Sequence, residues 1–366
     1  MSRILNSVFA GLIGATGLMA CSADRPAAVE TMVYVSNADS ADISVLRLDN
    51  STGSVTAVDR VAVGGKVMPL TVGPDRRFLY AALRSTPYSV VALAIDSKNG
   101  LANPTAPVAL ADNMAYLSTD RTGRFLFAAS YTGDKISVNP IDATGHVVTD
   151  PIDVIATPPH AHSIITDPSN RYVFAATLGG DTILQFRFDP ATGKLTPNQP
   201  AGVATRSGAG PRHLLFHPGG QFVYGTNELD GTVNTYRFDA GTGTLTLLDS
   251  TSVLPSDFSG PAPATSDLHI TPDGRLLYVA ERTSNTIAGF RIDEATGALR
   301  LLGHTPTETQ PRGFGIDPRG EYLIAAGEKS NAITIYTIDH DTGALTPHQH
   351  IDVGGDPNWV EIVDLP

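Results

Sequence analysis

Short apolar runs, each broken by a polar turn, repeat seven times along this chain. One copy runs through the turn Gly73-Pro74-Asp75 into an aromatic-rich run ending at Tyr80, and closes on Asp96-Ser97-Lys98-Asn99-Gly100-Leu101. Such runs read as strands, because glycine supplies the positive φ of a hairpin and proline and aspartate preset tight turns. The strand landmark recurs at Tyr34, Tyr80, Phe127, Phe174, Tyr224, Tyr278 and Ile324, and the outer-turn glycine at Gly53, Gly100, Gly145, Gly193, Gly243, Gly297 and Gly343. No helix-period stretch of useful length stands out beyond the first twenty residues. A repeat made only of strand and turn predicts an all-β protein, a seven-bladed β-propeller of four-stranded antiparallel blades.

The two ends predict how the ring closes. Met32-Val33-Tyr34-Val35-Ser36-Asn37 matches the second strand of the unit and lacks a first. Asp356 to Val363 matches that missing first strand and is followed by no second. Two half units complete one blade, so the terminal strands pair and no sheet edge of that blade stays open. The Thr-Gly turns at Thr192-Gly193, Thr296-Gly297 and Thr342-Gly343 are accounted for by hairpin geometry and are assigned no chemistry.

The repeats run without a linker from about Thr31, so residues 31–366 are expected to form one domain. Residues 1–20 read as a leader, with Arg3 as its positive end, Ile4 to Gly17 as its apolar stretch and Leu18-Met19-Ala20-Cys21 as its end. That pattern is similar to a bacterial lipoprotein leader, which makes Cys21 a candidate lipid anchor and residues 21–30 a short polar tether. Export to the periplasm, free or lipid-anchored, is the resulting expectation, with the membrane met only through that anchor. Cys21 is the sole cysteine, so no intramolecular disulfide can form. A net charge of -12 repels phosphate backbones and argues against a nucleic-acid partner. A monomer is expected.

Aligned on the turn before the aromatic strand, the copies place Met68, Ala115, His162, Arg212, Ser266 and Arg312 at one station. Ala38, Arg84, Tyr131, Leu178, Glu228, Arg282 and Glu328 share a second station, four residues past the landmark. In a propeller the first strand is innermost, and antiparallel pairing brings both stations to one mouth of the axial channel. The mouth therefore collects His162, four arginines and two glutamates in a chain with only 17% charged residues. A lone arginine at a strand end is more often structural, but several at one station form a costly filler compared with apolar packing. Arginine grips carboxylate and phosphate through paired hydrogen bonds, which points to an anionic ligand. Glu328 reads as a partner for these arginines and Glu228 as more than that.

His160-Ala161-His162 invites a metal reading, since alternate residues of a strand share a face. No third or fourth ligand can be named from spacing, and no metal or other cofactor is expected. There is no Gly-rich phosphate loop and no Gly-x-Ser-x-Gly elbow.

Several long motifs carry a resemblance. Gly208-Ala209-Gly210-Pro211-Arg212-His213 with Phe216-His217-Pro218, Asn227-Glu228-Leu229, His269-Ile270-Thr271-Pro272-Asp273-Gly274-Arg275, Thr307-Glu308-Thr309-Gln310-Pro311-Arg312-Gly313-Phe314 and Ile324-Ala325-Ala326-Gly327-Glu328-Lys329-Ser330 closely resemble bacterial 6-phosphogluconolactonases of the seven-bladed lactonase type. The likeness covers nearly everything after the leader, and fungal carboxymuconate cyclases look similar. It implies a catalytic set falling here on His162, Arg212, Glu228 and Arg282. The ring stations and the His160-Ala161-His162 run add Arg312, Arg84, Glu328 and His160 as substrate-binding candidates. One departure matters: phosphogluconolactonases of this family serve a cytoplasmic route, whereas this chain carries an export-type leader. An unphosphorylated gluconolactone is therefore an expected substrate beside 6-phosphogluconolactone.

Lactone hydrolysis needs an activated water and a stabilised carbonyl oxygen. Arginines nearby keep Glu228 ionised and weakly basic and keep His162 neutral, so His162 is the expected base. Glu228 would orient water, Arg212 would face the oxyanion, and Arg282 and Arg312 would hold an anionic or hydroxyl-rich end. Two other readings stand beside this one: a surface-anchored, non-enzymatic propeller that binds a sugar acid or a partner protein, and a metal-dependent lactonase.

Overall fold

The computed structural model describes residues 1, 29–96, 100–101 and 103–365. The leader, Cys21 and most of the tether lie outside the described residues, as does part of the outer turn after Asp96. The rest folds as seven antiparallel sheets arranged as the blades of a β-propeller. Blade 1 holds Thr31–Asn37, Asp42–Leu48 and Val55–Ala62, and its innermost strand is the C-terminal Pro357–Asp364. Thr31 pairs with Asp364 and Val35 with Val360, so the two half units close the ring as the sequence predicts. Blades 2 to 7 begin with the inner strands Val67–Val72, Met114–Thr119, Ala161–Thr166, Pro211–Phe216, Thr265–Ile270 and Pro311–Ile316. Blade 2 departs from four strands, because its outer position is split between the two-residue strands Gly100–Leu101 and Val108–Ala109.

Apolar side chains of neighbouring blades pack face to face, giving one buried cluster at each of the seven interfaces. The cluster between blades 3 and 4, for instance, joins Phe125 and Phe127 to Ile164 and Phe186. The two sequence landmarks meet at these interfaces. The Tyr34 hydroxyl donates to the Gly100 carbonyl at 3.2 Å, Tyr80 to Gly145 at 3.1 Å, Tyr224 to Gly297 at 2.9 Å and Tyr278 to Gly343 at 2.9 Å. A landmark tyrosine thus ties its blade to the outer turn of the next. That turn needs glycine twice over: at Gly145 φ is +84°, and a Cβ would sit 2.1 Å from the Phe78 ring of the blade before.

Each inner strand carries a register shift at the same place. The ladder skips or doubles at Met68, Ala115, His162, Arg212, Ser266, Arg312 and Asn358. These residues are the first ring station of the sequence, with Asn358 as the seventh member that the alignment did not supply. A bulge leaves its extra residue out of the ladder and re-aims the side chain. Here it turns that side chain toward the axis.

Candidate functional site

Both ring stations do converge on one mouth of the channel. The backbone N–H of the second-station residue donates to the carbonyl two residues before its first-station partner. The bonds run from Arg84 to Lys66 at 2.7 Å, Leu178 to His160 at 2.9 Å, Glu228 to Gly210 at 2.7 Å, Arg282 to Ala264 at 3.3 Å, Glu328 to Gln310 at 3.1 Å and Ala38 to Asp356 at 2.9 Å. The resulting cavity of about 180 Å³ is lined by Arg84, Ala115, Tyr131, His162, Glu228, Arg282 and Arg312. A larger groove of about 280 Å³ lies at the rim around Tyr278 and His304, but it carries no carboxylate or guanidinium.

Arg212 belongs to this mouth but does not line the cavity. Its side chain is 1% exposed and lies beneath Glu228, with Nε 2.9 Å from Glu228 Oε2. Nη1 donates to the Ser266 carbonyl at 2.6 Å and contacts His213 Nε2 at 3.0 Å. The expectation that Arg212 itself faces an oxyanion is thereby corrected: the bulged backbone sinks its guanidinium under the carboxylate. Glu228 Oε1 is 3.0 Å from Arg282 Nη2, so each carboxylate oxygen has its own cation. Burial works against ionisation of Glu228, yet Arg212 and Arg282 outweigh it and hold the carboxyl below its ordinary range. Glu328 sits 3.5 Å from Arg312 and does not line the cavity.

Arg84 is different. Its Nε donates to Asn113 Oδ1 at 2.6 Å and its Nη1 lies 3.3 Å from Met68 Sδ. Among the described residues no carboxylate forms an ion pair with it. Burial, and then the charge of Arg312, push its pKa down to about 10. Four guanidiniums against two carboxylates leave the mouth a formal surplus of two positive charges, inside a chain of net charge -12.

His162 is 4% exposed, and its pKa lies well below the ordinary value because of burial first and of Arg212, His213 and Arg312 after it. The imidazole is neutral. Its Nδ1, together with Arg212 Nε and Arg282 Nη2, is shut off from solvent without an aligned hydrogen-bond partner. The two guanidinium nitrogens touch Glu228, but their N–H bonds are not directed along those contacts. Buried polar atoms are almost always paired, yet this mouth holds three without an aligned partner, two of them on the cavity-lining side chains His162 and Arg282.

His160 does not share a face with His162. The strand begins at Ala161, the ladder is shifted across His162, and His160 has a left-handed φ of 64°. Its ring stacks on Tyr131 with centroids 4.2 Å apart, while Tyr131 meets His162 edge-on at 5.8 Å. His160 therefore sits at the rim and supports Tyr131, a cavity-lining residue that had been given no role.

Sequence reasoning also missed a second layer below the mouth. The bulge breaks the alternation of the inner strands, so the next residue of several strands faces the axis as well. Tyr116, His213, Asp267 and Trp359 occupy these places, with His269 and Glu361 below them, around a cavity of about 110 Å³. The rings of Tyr116, His213 and Trp359 lie 5.1, 5.4 and 5.6 Å apart and separate this lower cavity from the mouth. His213 and His269 were visible only as parts of motifs, and no residue pattern in one chain distinguishes a bulged inner strand from a regular one.

Residues 31–362 match the family described as lactonase, 7-bladed beta-propeller. The chain belongs to this family. A 6-phosphogluconolactonase of Enterobacter sp. (strain 638) is 38% identical over 285 residues, which cover 78% of this chain and 84% of that protein. A 6-phosphogluconolactonase of Sodalis glossinidius (strain morsitans) is 39% identical over 125 residues, 34% of this chain and only 38% of that relative's length. Among solved structures, the periplasmic gluconolactonase of Pseudomonas aeruginosa superposes with a TM-score of 0.85 at 30% identity, covering 92% of this chain and 100% of that one.

Proposed function

We propose that this lactonase-family chain hydrolyses a sugar lactone carrying an anionic group, phosphate or carboxylate, to the open sugar acid. The observation that carries the reading is the mouth cavity, where a buried neutral His162 stands with Glu228 among guanidiniums whose N–H groups are not all matched. By blade order, His162 and Glu228 come from blades 4 and 5, while Arg282, Arg312 and Arg84 form a basic arc from blades 6, 7 and 2. A lactone lies with its carbonyl toward the first pair and its anionic end toward Arg84, the cation of this arc that pairs with no carboxylate among the described residues.

In the reaction, water adds through its oxygen to the carbonyl carbon as its proton passes to His162. Glu228, pinned by two arginines, is a poor base and orients the water. Arg282, whose side chain lines the cavity, stabilises the charge growing on the carbonyl oxygen. The ring C–O bond then breaks, and His162 returns the proton to the departing oxygen. Arg212 acts through Glu228 and touches no substrate.

The leader-like residues 1–20, the candidate anchor Cys21 and the likeness to a periplasmic gluconolactonase of Pseudomonas aeruginosa support an exported protein. Hydrolysis by the purified chain is to be followed above the spontaneous rate on gluconolactone with a 6-phosphate, on an acidic sugar lactone and on plain gluconolactone, with and without chelator. Turnover that survives chelator and favours the charged lactones is expected. No turnover on any lactone would support a sugar-acid binder instead, and loss with chelator would assign the chemistry to a metal.

A further inference from the structure

The mechanism leaves unused a chain of buried groups that runs from Glu228 into the second axial layer. Arg212 Nη1 meets His213 Nε2 at 3.0 Å, and His213 Nδ1 lies 2.8 Å from Asp267 Oδ1. Asp267 is also held by the Leu268 amide at 3.0 Å, the Phe314 amide at 3.3 Å and His269 Nε2 at 3.3 Å. His213 is 3% and Asp267 8% exposed, so neither is a solvated surface pair.

Hydrogen-bond roles leave one arrangement. A guanidinium only donates, so His213 Nε2 must carry the lone pair facing Arg212, and Nδ1 must carry the proton given to Asp267. Asp267 is an acceptor only: burial opposes its charge, and the neighbouring His269 and the bonds from both imidazoles overcome that opposition. Burial, then the Arg212 charge, pushes the His213 pKa down to about 4, in line with a neutral ring. Arg212 is thus held by two aligned partners on Nη1, the Ser266 carbonyl and His213, while its Nε stays in ion-pair contact with Glu228 Oε2 at 2.9 Å.

From this geometry we infer that His213 is a positioning residue, held by Asp267 in the tautomer that fixes the Arg212 fork and through it the orientation of the Glu228 carboxylate in the mouth. This rests on the lactonase reading only for its kinetic consequence. The arrangement of atoms stands apart from it. Fixing a carboxylate against rotation matters for a group that orients water, because small misplacements at a reacting centre are costly in rate.

Two substitutions at one position separate positioning from plain support. His213→Gln sets an acceptor oxygen near the old Nε2 place and keeps the bond from Arg212, while losing the donor to Asp267. His213→Asn sets its amide near the old Nδ1 place and keeps the donor to Asp267, while leaving Arg212 Nη1 unmet. Positioning predicts that the Gln variant keeps kcat within about threefold, whereas the Asn variant loses about 10- to 100-fold in kcat with KM little changed. Equal losses in both, or losses that follow the order of their melting temperatures, would overturn the inference. A second readout needs no turnover and so separates this inference from the lactonase reading. The 15N spectrum of the folded wild type should show His213 protonated at Nδ1 and bare at Nε2, with an exchange-protected Arg212 guanidinium that persists in the Gln variant and is lost in the Asn variant. A proton on Nε2 refutes the arrangement whatever the activity.

Discussion

Replacing Arg84 by glutamine is expected to raise stability and lower activity on charged lactones, two opposite effects from one change. Glutamine removes the charge and keeps an N–H donor for Asn113. The wild-type guanidinium is held at a pKa of about 10 against an ordinary 12.5, which corresponds to roughly 3 kcal/mol at about 1.4 kcal/mol per tenfold. The residue is partly exposed, so solvent screening reduces the recoverable share to about 1–2 kcal/mol, and imperfect replacement of the Asn113 bond takes back about 0.5 kcal/mol. A net gain of about 1 kcal/mol remains, a rise of roughly 2 °C in Tm. The sign follows from the direction of the shift: a cation with a depressed pKa is kept charged against its preference at every pH below about 10. The penalty fades as pH climbs toward 12.5, so the variant's advantage is full at neutral pH and vanishes at strongly alkaline pH. On the functional side, a charge-assisted bond to phosphate or carboxylate is worth about 1.5–3 kcal/mol, so kcat/KM for a charged lactone should fall roughly 10- to 150-fold. For the plain lactone it should stay within about twofold. The assay is paired kinetics on gluconolactone with and without its 6-phosphate, beside thermal melts of both proteins. Equal losses on both lactones, or a variant that melts lower, would refute the reasoning.

Further outcomes follow from the axial layers. His162→Ala should cut kcat by about a hundredfold or more, as removal of a proton-transfer group does; unchanged turnover would transfer the base role to Glu228. Because burial and three positive or imidazole neighbours depress the His162 pKa, the acid limb of the kcat/KM profile should lie below the ordinary histidine value of about 6.5. A limb at or above that value in wild type would contradict a neutral, buried base. Glu361 has the opposite shift: burial raises its pKa to about 7, so the folded state holds a proton that the unfolded state gives up above about 4.5. Stability contributed by this group is then lost as pH rises from about 4.5 to about 7. The residue is partly open to the lower cavity, which reduces the effect to about 1–2 kcal/mol. Glu361→Gln should flatten denaturant-unfolding free energies across that window, and an unchanged slope would count against a protonated Glu361.

The ring architecture was readable because a propeller repeats one backbone pattern, so a residue's station follows from counting. Tyr34 and Gly100, or Tyr80 and Gly145, were picked out separately as landmarks, and they turn out to be hydrogen-bonded partners across blade interfaces. The mouth itself was readable for the same reason. What counting could not supply is depth. Arg212 and Arg312 occupy one station, yet the first is sealed under Glu228 and the second lines the cavity. His213 and Asp267 escaped notice because alternation assigns them to the blade interior, and only the bulge at Arg212 and at Ser266 brings them to the axis. Asn358 escaped because the stations were counted from the turn between inner and aromatic strand, and the closing strand meets its partner Thr31–Asn37 without such a turn.

The second station also contains its own control for what the mouth charges are for. Ala38 and Leu178 stand there with the same backbone bonds as their charged counterparts, to Asp356 and His160, both at 2.9 Å. Each is buried, at 3% exposure. The fold is therefore satisfied at this station by a small or branched apolar side chain, and nothing in the backbone calls for a charge. Apolar filling would avoid the desolvation that depresses Arg84 and the mutual repulsion of its neighbour Arg312. Arg84, Glu228, Arg282 and Glu328 thus hold places where packing alone would favour a different residue. The seven apolar blade interfaces and the closed ring make that departure tolerable. Glu228 and Glu328 offset part of that cost by pairing with Arg212, Arg282 and Arg312, which leaves Arg84 as the charge that the proposed anionic ligand would answer.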